Sequence, residues 1–287
     1  MKVLNFGSLN IDYVYQVSNF VTRGESITSS SYRRQLGGKG LNQSVALARA
    51  GAEVLHVGCV GSDGEWLKSF LAQENVDVRF VRTTDEATGH AMIQVGPDGD
   101  NAIVLHGGAN MSVGKGDIES AFAMTAAGDY LVTQNEISYV PQILKVARAL
   151  GMITIFNPAP FTESLLEAPL SLVDYLILNQ TEATGFTGEH DPKMGIMMLR
   201  KMYPASGIIL TMGAEGVLYA GPDKTLKVPT QKVESIDTTG AGDCFIGFFV
   251  AGLASGKSVD LAIEQGCRAA SICVTRPGAA ESFPKNF

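Results

Sequence analysis

The chain has 287 residues, of which 45% are hydrophobic, and its formal net charge is −7. This length and apolar content predict one large α/β domain or two smaller domains, and they exclude a largely disordered chain. An acidic balance without a lysine and arginine cluster argues against a nucleic-acid partner, and the longest apolar stretch, at residues 244–254, is too short to span a bilayer.

The cysteines and the first residues indicate the compartment. Four cysteines occur without C-x-x-C spacing, which predicts buried thiols in a reducing environment and neither a disulfide framework nor a zinc site. The opening MKVLNFGSLN turns polar and glycine-rich by its seventh residue, so no signal peptide is expected. We therefore expect a cytoplasmic protein without a membrane partner.

Short apolar runs recur along the chain, and each ends in small or polar residues. In chain order they are VLNFGSLNID, EVLHVGCVGSDG, DYLVTQNE, MITIFNPAP, DYLILNQTE and GIILTMGAEG, with helical spacing between most of them. This alternation predicts parallel βαβ units, which bind ligands at the carboxyl ends of their strands. The polar residues expected at those ends are Asn10, Asp12, Asp63, Glu136, Asn157, Asn179 and Glu182.

Two stretches, 13–32 and 90–106, read instead as alternating strands with turn residues. We expect them to form a small β layer that covers the active site as a lid, because a closed lid excludes water from a reaction. The alternative is a pair of ordinary peripheral hairpins. The α/β domain would then comprise residues 1–12, 33–89 and 107–287.

The first glycine-rich turn, in QLGGKGLNQ, leads into a predicted helix that starts near Lys39 and Asn42. Three glycines within four residues favour a close approach of the backbone to a ligand. The alternative is a loop with a solvent-facing lysine.

Two later strand ends carry weaker signals. Asn179 and Glu182, three residues apart in LNQTE, could cap the next helix or orient water around a Mg²⁺ ion that bridges nucleotide phosphates. The glycine turn in TMGAEG could contact a nucleotide or form an ordinary hairpin.

The second glycine-rich turn lies in SIDTTGAGDCFIGFF. Gly240, Ala241 and Gly242 would form the N-terminus of a core helix, whose free N–H groups and dipole attract anions such as phosphate. Asp243 could stabilise the first turn, or it could act as a general base toward an attacking hydroxyl. The flanking glycines favour the base, because a simple cap needs no clear backbone surface on both sides.

Several common motifs are absent from the sequence. Neither GLASGKS nor LGGKGLN fits the Walker A pattern, no G-x-G-x-x-G follows the first predicted strand, and no G-x-S-x-G is present. A P-loop enzyme, a Rossmann dehydrogenase and an α/β-hydrolase are therefore unsupported.

Together these motifs resemble the ribokinase-like (PfkB) family of carbohydrate kinases, in order and over nearly the whole chain. GGKGLNQ is similar to the family's first signature and DTTGAGDCF to its second, while GSLNID, QNEI, NPAP, NQTE and VTRPGAAES are similar to segments of its ribose kinases. The resemblance implies a three-layer α/β sandwich with a mostly parallel central sheet and a small β lid, often shared in a homodimer. It also implies ATP, Mg²⁺ and K⁺ as cofactors.

The resemblance further implies roles for individual residues. Asp243 would be the catalytic base, and Gly240, Ala241 and Gly242 the anion hole. The residues implied to hold the sugar are Asn10, Asp12, Gly38, Lys39, Asn42 and Glu136. The implied nucleotide contacts are Asn179, Thr211, Gly213, Gly216 and Cys267, and Glu182 would organise Mg²⁺ through water. A monovalent-cation loop, with mostly backbone ligands, is implied at Asp237, Thr239, Cys273, Arg276, Gly278 and Ser282.

Three features depart from the family pattern. Cys267 stands where ribose kinases more often carry histidine or asparagine, and Leu41 replaces a small residue of the first signature. The sequence ends at Phe287, soon after the implied cation loop, so we expect the family's usual terminal helix to be missing.

The function that this resemblance implies is an ATP-dependent sugar kinase that acts on a primary hydroxyl, with ribose as the leading substrate. A kinase for another furanose, a ketose or a nucleoside is the alternative within the same class. A non-catalytic sugar- or nucleotide-binding regulator of the same fold is the alternative outside it, although the intact glycine turn and aspartate oppose that hypothesis.

Overall fold

The computed structural model describes residues 1–285, and these residues form thirteen strands and eight α-helices. The strands are β1 (Lys2–Phe6), β2 (Asn10–Gln16), β3 (Ser31–Gly37), β4 (Glu53–Gly61), β5 (Asp77–Thr84), β6 (Gly89–Val95), β7 (Asn101–His106), β8 (Tyr130–Gln134), β9 (Ile153–Asn157), β10 (Tyr175–Asn179), β11 (Gly207–Thr211), β12 (Val217–Ala220) and β13 (Thr225–Val228). The helices are α1 (Lys39–Arg49), α2 (Glu65–Gln73), α3 (Lys115–Phe122), α4 (Val140–Ala149), α5 (Gln180–Thr187), α6 (Pro192–Met202), α7 (Ala241–Ala254) and α8 (Val259–Cys273).

Within residues 1–285, nine strands pair in the order β13-β12-β11-β10-β9-β8-β1-β4-β5. The seven strands from β11 to β5 in that order run parallel, while β12 and β13 are antiparallel additions at one edge. The predicted α/β fold with a mostly parallel central sheet is therefore confirmed.

The parallel strands are apolar at successive positions because both faces of the sheet are covered. On β9, for example, Ile155 packs into a core with α1, α2, α7 and α8, whereas Phe156 points to the opposite core with α3, α4, α5 and α6. Successive strand residues point to opposite faces, so a continuous apolar run supplies both cores. The molecule is thus a helix–sheet–helix sandwich.

Helix α7 is mostly buried because almost every one of its residues is apolar or glycine. It packs against α1 at Gly247, where an added Cβ would lie 2.3 Å from the Cβ of Ala46 and 2.8 Å from the amide nitrogen of Leu47. Only glycine allows the two helix backbones to approach this closely. The contact brings the first turns of α1 and α7 side by side.

Four strands of the described part of the chain form a second sheet in the order β3-β2-β6-β7. This sheet includes residues from both stretches predicted as a β layer, but its strands extend beyond the predicted limits 13–32 and 90–106. Strand β2 already begins at Asn10, and β3 continues to Gly37 because Asn10 pairs with Gly37 across the antiparallel ladder. The last two positions of the predicted 107–287 segment lie outside the described residues.

The predicted first strand, VLNFGSLNID, is in fact two strands in different sheets. Gly7, Ser8 and Leu9 separate β1 of the large sheet from β2 of the small sheet. Asn10 and Asp12 therefore lie within β2 and not at the carboxyl end of β1, which corrects the expected placement. Within residues 1–285, none of the helices combines the length and the apolar character needed to cross a bilayer.

Candidate active site

The N-termini of α1 and α7 meet beside the carboxyl ends of β9, β10 and β11, where they border an open cleft of about 190 Å³. Parallel strands end along one edge of a sheet, so this is where an α/β fold gathers polar groups from distant parts of the chain. The cleft is lined by Lys39, Asn157, Ala159, Ile177, Leu178, Asn179, Glu182, Thr211, Thr238, Gly240, Ala241, Gly242, Asp243 and Ile246.

The first turn of α7 faces the cleft with its backbone. Gly240 is the N-cap residue, with φ of 74°, a left-handed conformation that glycine adopts without strain. A Cβ on Gly242 would meet no heavy atom within 4 Å, so the backbone at this position is open to the cleft. The first N–H groups of a helix have no acceptor within the helix, and the predicted anion-binding residues are thus exposed to a ligand in the cleft.

Asp243 is buried at the floor of this turn, with 8% of its surface exposed. Its Oδ1 accepts a hydrogen bond from Nε2 of Gln43 at 2.9 Å, and its Oδ2 accepts one from Nδ2 of Asn42 at 3.0 Å. Burial raises the pKa of the Asp243 carboxyl, while the charge of Lys39 and the two amide donors oppose that rise. The site therefore holds a desolvated carboxylate with two fixed donors, which suits a general base.

Lys39 sits at the start of α1 among several acidic groups. Burial by itself would lower the pKa of Lys39, but the carboxylates of Asp243, Glu136, Glu182 and Asp12 together outweigh burial and raise it. The lysine thus stays protonated. It lines the cleft together with Asn179 and Thr211, and its backbone N–H donates to Glu136. A solvent-facing lysine, the alternative considered from the sequence, is not what the structure contains.

Glu136, in the loop after β8, is tied to the first glycine turn. Its Oε2 accepts hydrogen bonds from the hydroxyl of Ser8 and, at 3.2 Å, from the backbone N–H of Lys39. The Ser8 hydroxyl oxygen in turn accepts from the N–H of Gly40 at 3.2 Å. Burial raises the pKa of Glu136, and Lys39 opposes this shift.

The glycines of the first turn pack directly against the segment between β1 and β2. A Cβ at Gly38 would lie 2.8 Å from the amide nitrogen of Asn10, and a Cβ at Gly40 would lie 2.3 Å from that of Ser8. At Gly37 a Cβ would overlap the carboxylate of Asp12. These glycines allow α1 to start against the strand that carries the predicted sugar-binding residues.

Asn10 and Asp12 point from β2 toward this region and differ in their partners. Oδ1 of Asn10 accepts from Nδ2 of Asn110 at 2.6 Å, which leaves the amide donor of Asn10 for a ligand. Burial, followed by the charge of nearby Glu136, raises the pKa of Asp12 to about 7. Asn42 also keeps a free group here, because its Oδ1 is buried and has no hydrogen-bond partner among the described residues.

Asn179 and Glu182 form a reciprocal cap at the start of α5. Oδ1 of Asn179 accepts from the N–H of Glu182, and Oε2 of Glu182 accepts from the N–H of Asn179, both at 2.9 Å. The capping interpretation of LNQTE therefore describes this structure, yet both residues also line the cleft. Burial raises the pKa of Glu182.

Of the other residues predicted to contact the nucleotide, one lines the cleft and three do not. Thr211 ends β11 and lines the cleft. Gly213 and Gly216 form the turn of an antiparallel hairpin between β11 and β12, both with positive φ. Cys267 lies in the buried core of α8 with Phe245 and is not among the residues that line the cleft.

The residues predicted for the cation loop come together beside the start of α7. The Asp237 carboxylate accepts from the N–H groups of Thr239 and Gly278, both at 2.9 Å, which joins the loop before α7 to the segment after α8. Sγ of Cys273 lies 3.1 Å from Oγ of Ser282. Arg276, by contrast, is exposed and borders a separate open pocket near Arg268 and Glu281.

Sequence reasoning missed several polar residues around Asp243. Gln43 and Gln134 are completely buried, and Thr238 lines the cleft without a predicted role. Asn157, which was expected only as a polar residue at a strand end, also lines the cleft. A signal was present, since Gln43 follows Asn42 within the first signature and Gln134 ends an apolar strand. A buried amide needs partners, so polar residues at such positions indicate a network.

Comparisons with known proteins agree over the whole chain. Residues 1–286 match the family model described as "pfkB family carbohydrate kinase". The chain is 39% identical to a ribokinase of Haemophilus influenzae over 97% of this chain and 94% of that protein. Among solved structures, it is similar to a ribokinase of Cryptococcus neoformans var. grubii serotype A in complex with ADP, with 37% identity, a TM-score of 0.88 and coverage of 99% and 97% of the two chains. It is also similar to an Arabidopsis thaliana ribokinase complexed with ribose and ATP, with 27% identity, a TM-score of 0.85 and coverage of 99% and 96%.

Proposed function

The chain belongs to the pfkB family of carbohydrate kinases, and from this premise we propose that it transfers the γ-phosphoryl group of ATP to the primary hydroxyl of ribose, giving ribose 5-phosphate. It is a phosphotransferase with an alcohol group as acceptor. The observation that carries the proposal is the position of Asp243, a buried carboxylate at the N-terminus of a helix that opens on a cleft. It accepts a hydrogen bond from Asn42, proposed for the sugar side, and shares the cleft with Asn179 and Thr211, proposed for the nucleotide side.

In the proposed mechanism, Asp243 orients the primary hydroxyl of the sugar and accepts its proton as the oxygen attacks the γ-phosphorus. ADP leaves as the new phosphate ester forms. The backbone N–H groups of Gly240, Ala241 and Gly242 are proposed to stabilise the negative charge on the transferring group, since these residues line the cleft at the positive end of α7. The N–H of Ala241 donates to the carbonyl of Thr238 at 3.2 Å and would have to exchange this partner for the phosphate.

The sugar side is proposed to consist of Asn10, Asp12, Gly38, Lys39, Asn42 and Glu136. Free hydrogen-bonding groups support this assignment. Asn10 retains its amide donor, and the buried Oδ1 of Asn42 has no partner among residues 1–285 and can accept from a sugar hydroxyl. An unpaired buried acceptor is costly, so a ligand hydroxyl that pairs with it gains affinity.

The nucleotide side is proposed to comprise Asn179, Thr211, Gly213 and Gly216, with Cys267 as the weakest member because its thiol lies in the core. Asn179 and Thr211 line the cleft directly. The related proteins of known structure named above were solved with ADP or with ribose and ATP, which supports ATP as the phosphate donor.

Magnesium fits this site as an ion held mainly by phosphates and water. Within residues 1–285, no group of three or more histidine, cysteine, aspartate or glutamate side chains could hold a metal by itself. Glu182 offers a buried carboxylate at the cleft, and Mg²⁺ usually keeps several waters and needs few protein ligands. Bound there, the ion would neutralise charge on the nucleotide phosphates.

A monovalent cation such as K⁺ is proposed for the loop formed by Asp237, Thr239, Cys273, Arg276, Gly278 and Ser282. Two backbone N–H groups already hold the Asp237 carboxylate between the two segments of this loop. A cation there would hold the segment before α7 against the segment after α8 and so steady the anion hole.

The small sheet is proposed to act as a lid and to pair with a second copy of the chain. All six residues of β7 are exposed, including Ile103, Val104 and Leu105 at 50%, 67% and 51%. An exposed apolar edge strand is a surface that proteins usually cover.

The experiment that tests the function is ADP release from ATP and Mg²⁺ across pentoses, hexoses, phosphosugars and nucleosides, with and without K⁺. We expect ribose to give the highest kcat/KM and Asp243→Asn to lower turnover by roughly 10²–10⁴, the usual contribution of a positioned base. Turnover of another compound alone would overturn ribose but keep the chemistry. A folded protein that binds ATP without turning over any acceptor would support the regulator.

A further inference from the structure

Two buried glutamines stand behind the proposed catalytic base and have no part in the mechanism given above. Nε2 of Gln43 donates to Oδ1 of Asp243 at 2.9 Å, and Oε1 of Gln43 accepts from Nε2 of Gln134 at 2.8 Å. Neither glutamine has any exposed surface. Their amides therefore contact the protein and not a bound substrate.

The orientation of the Gln43 amide is fixed from two directions by backbone carbonyls, which can only accept. On one side, Nδ2 of Asn157 donates to the carbonyl of Ile177 at 2.9 Å, so Oδ1 of Asn157 is left to accept from Nε2 of Gln43 at 3.3 Å. The two protons of the Gln43 amide are thus directed to Asn157 and Asp243.

On the other side, Nδ2 of Asn5 donates to the carbonyl of Gly40 at 2.9 Å. Oδ1 of Asn5 must then accept, and it does so from Nε2 of Gln134 at 3.1 Å. The same nitrogen of Gln134 faces Oε1 of Gln43, which excludes the flipped orientation of the Gln43 amide because two donors would then face each other.

The chain of oriented groups continues away from the site. Nδ2 of Asn5 also donates to the hydroxyl of Ser44 at 2.8 Å, and that hydroxyl lies 2.8 Å from Nδ1 of His56. Burial lowers the pKa of His56 to about 4, so the ring is neutral near pH 7 and adds no charge to the network. The network is consequently a fixed set of dipoles around one carboxylate.

We propose that Gln43, held in place by Gln134, is a positioning residue that fixes the rotation of the Asp243 carboxylate for phosphoryl transfer. The inference rests on the proposed function, because it takes Asp243 to be the base. Asn42 and Gln43 each hold one carboxylate oxygen, so the plane of the carboxylate is set by two adjacent residues of α1. Without Gln43, the carboxylate keeps only the donor on Oδ2 and can turn about its Cβ–Cγ bond.

The same hydrogen bond favours the ionised form of the proposed base, against the rise in pKa that burial causes. The charged groups that face Asp243 are Lys39 from α1, Glu136 from the loop after β8 and Glu182 from α5, together with the thiols of Cys244 and Cys273. Lys39 favours the ionised form, and the two glutamates oppose it. Removal of the Gln43 donor from this balance shifts the carboxyl toward its protonated form, because a hydrogen bond to a charged group favours the charged state.

The test compares Gln43→Met with Gln265→Met. Both changes remove a glutamine amide and keep the length of the side chain, and Nε2 of Gln265 donates to the carbonyl of Phe248 on the same helix that carries Asp243. For Gln43→Met we expect kcat near pH 7 to fall about tenfold and the acid limb of the kcat profile to move up by about one pH unit. The KM for ribose should change less than twofold, and Gln265→Met should leave the profile unchanged.

A second readout does not depend on turnover. In protein labelled with ¹³C-aspartate, the carboxyl carbon of Asp243, assigned by its absence in Asp243→Asn, should titrate at higher pH in Gln43→Met than in the wild type. If the Asp243 titration and the acid limb of kcat in Gln43→Met both equal those of the wild type, the inference is overturned. The proposed function still stands in that case, provided that the wild type phosphorylates ribose. Loss of the proposed function itself would appear as a wild type inactive on ribose, whatever the titration shows.

If Gln43→Met does not fold, Gln134→Met tests the same point one hydrogen bond further away. It leaves the Gln43 side chain in place but removes the donor that orients it. We expect a smaller shift of the acid limb and of the titration in the same direction. If folded Gln134→Met shows the acid limb and the Asp243 titration of the wild type, Gln134 does not hold Gln43 in place. The proposal, which requires that Gln134 orients Gln43, would then be overturned.

Discussion

At the scale of single residues, the site is distinguished by the number of carboxylates around one ammonium group. Asp12, Glu136, Glu182 and Asp243 all act on Lys39, and burial raises the pKa of each of the four carboxyls. Such a cluster is unfavourable in the ligand-free protein, since four acidic groups compete for one partner. Clusters of this kind are a feature of functional sites more than of stable cores.

Asp12 gives a prediction about stability and pH. Burial and Glu136 raise its pKa in the folded protein to about 7 from 3.8, so the folded state binds its proton more tightly than the unfolded state does. The stability it contributes is present below pH ~4 and is lost as the pH rises through about 7. Asp12→Asn should therefore gain stability relative to wild type over this range, by at most about 1.4 kcal/mol per pH unit.

Urea unfolding of wild type and Asp12→Asn at pH 5, 6, 7 and 8 measures this difference. Glu53→Gln is the matched control, because the Glu53 side chain is 66% exposed and belongs to a surface ion pair. We expect its difference from wild type to stay constant over the series. A constant difference for Asp12→Asn would contradict the raised pKa.

At the scale of elements, the approach of α1 to α7 sets the position of Asp243, the proposed base, relative to Asn42 and Gln43. Gly247 lies one turn after Asp243 on α7, and Ala46 and Leu47 lie one turn after Asn42 and Gln43 on α1. The close contact at Gly247 thus determines how far the two amides stand from the carboxylate. A change at this contact should affect catalysis without touching any ligand.

Gly247→Ala should separate the two helices, because its Cβ would lie 2.8 Å from a backbone nitrogen that cannot rotate away. We expect a loss of about 1–3 kcal/mol in unfolding free energy, together with a fall in kcat larger than any change in the KM for ATP. Gly116→Ala in α3 is the control, since its Cβ would meet no heavy atom within 4 Å. Equal effects of the two substitutions on kcat would show that the helix contact does not set the geometry.

The secondary-structure elements also show which features of the fold can be predicted from the sequence. The central strands β8 to β11 were predictable because continuous apolar runs of about five residues, bounded by polar or glycine residues, are typical of strands buried on both faces. The helix start at Gly240 was predictable from turn chemistry. The break between β1 and β2 was not, because Gly7, Ser8 and Leu9 carry no signal that the chain changes from one sheet to another.

The same limit applies to the site. The polar residues at strand ends and in glycine turns could be predicted, since each has a local pattern. The contact between Asn42 and Asp243, however, joins residues 201 positions apart, and no local pattern specifies it. Gln43 and Gln134 each stand at a position where a polar residue indicates a buried network, but the partners of a buried amide come from neighbours that only the fold supplies.

At the scale of the whole molecule, the small sheet is the part whose proposed role needs a second chain. Leu105 pairs in register with Ala91, and Ala91 pairs with Asp12, so these residues share one row and one face of the sheet. A partner that covers Leu105 would therefore cover the face that carries a proposed sugar-binding residue. The proposed dimer contact and the proposed lid thus use the same face of the small sheet.

Leu105→Glu should weaken the dimer and raise the KM for ribose, because it places a charge on that face. Sedimentation velocity over a range of concentrations measures the association, and Met197→Glu, at a 64% exposed apolar residue of α6 outside the small sheet, is the control. We expect Met197→Glu to associate as wild type does. A wild type that is monomeric at every concentration would contradict the dimer.

The 201-residue separation between Asn42 and Asp243 also has a consequence for biosynthesis. Most of the proposed sugar-binding residues leave the ribosome early, whereas the proposed base and the proposed anion hole follow more than a hundred residues after Glu136 has been made. The nascent chain can therefore build the first part of the sheet, but α1 has no α7 to pack against. Fragments that end before Asp243 lack the proposed base, so we expect interrupted translation to give products that do not transfer phosphate from ATP.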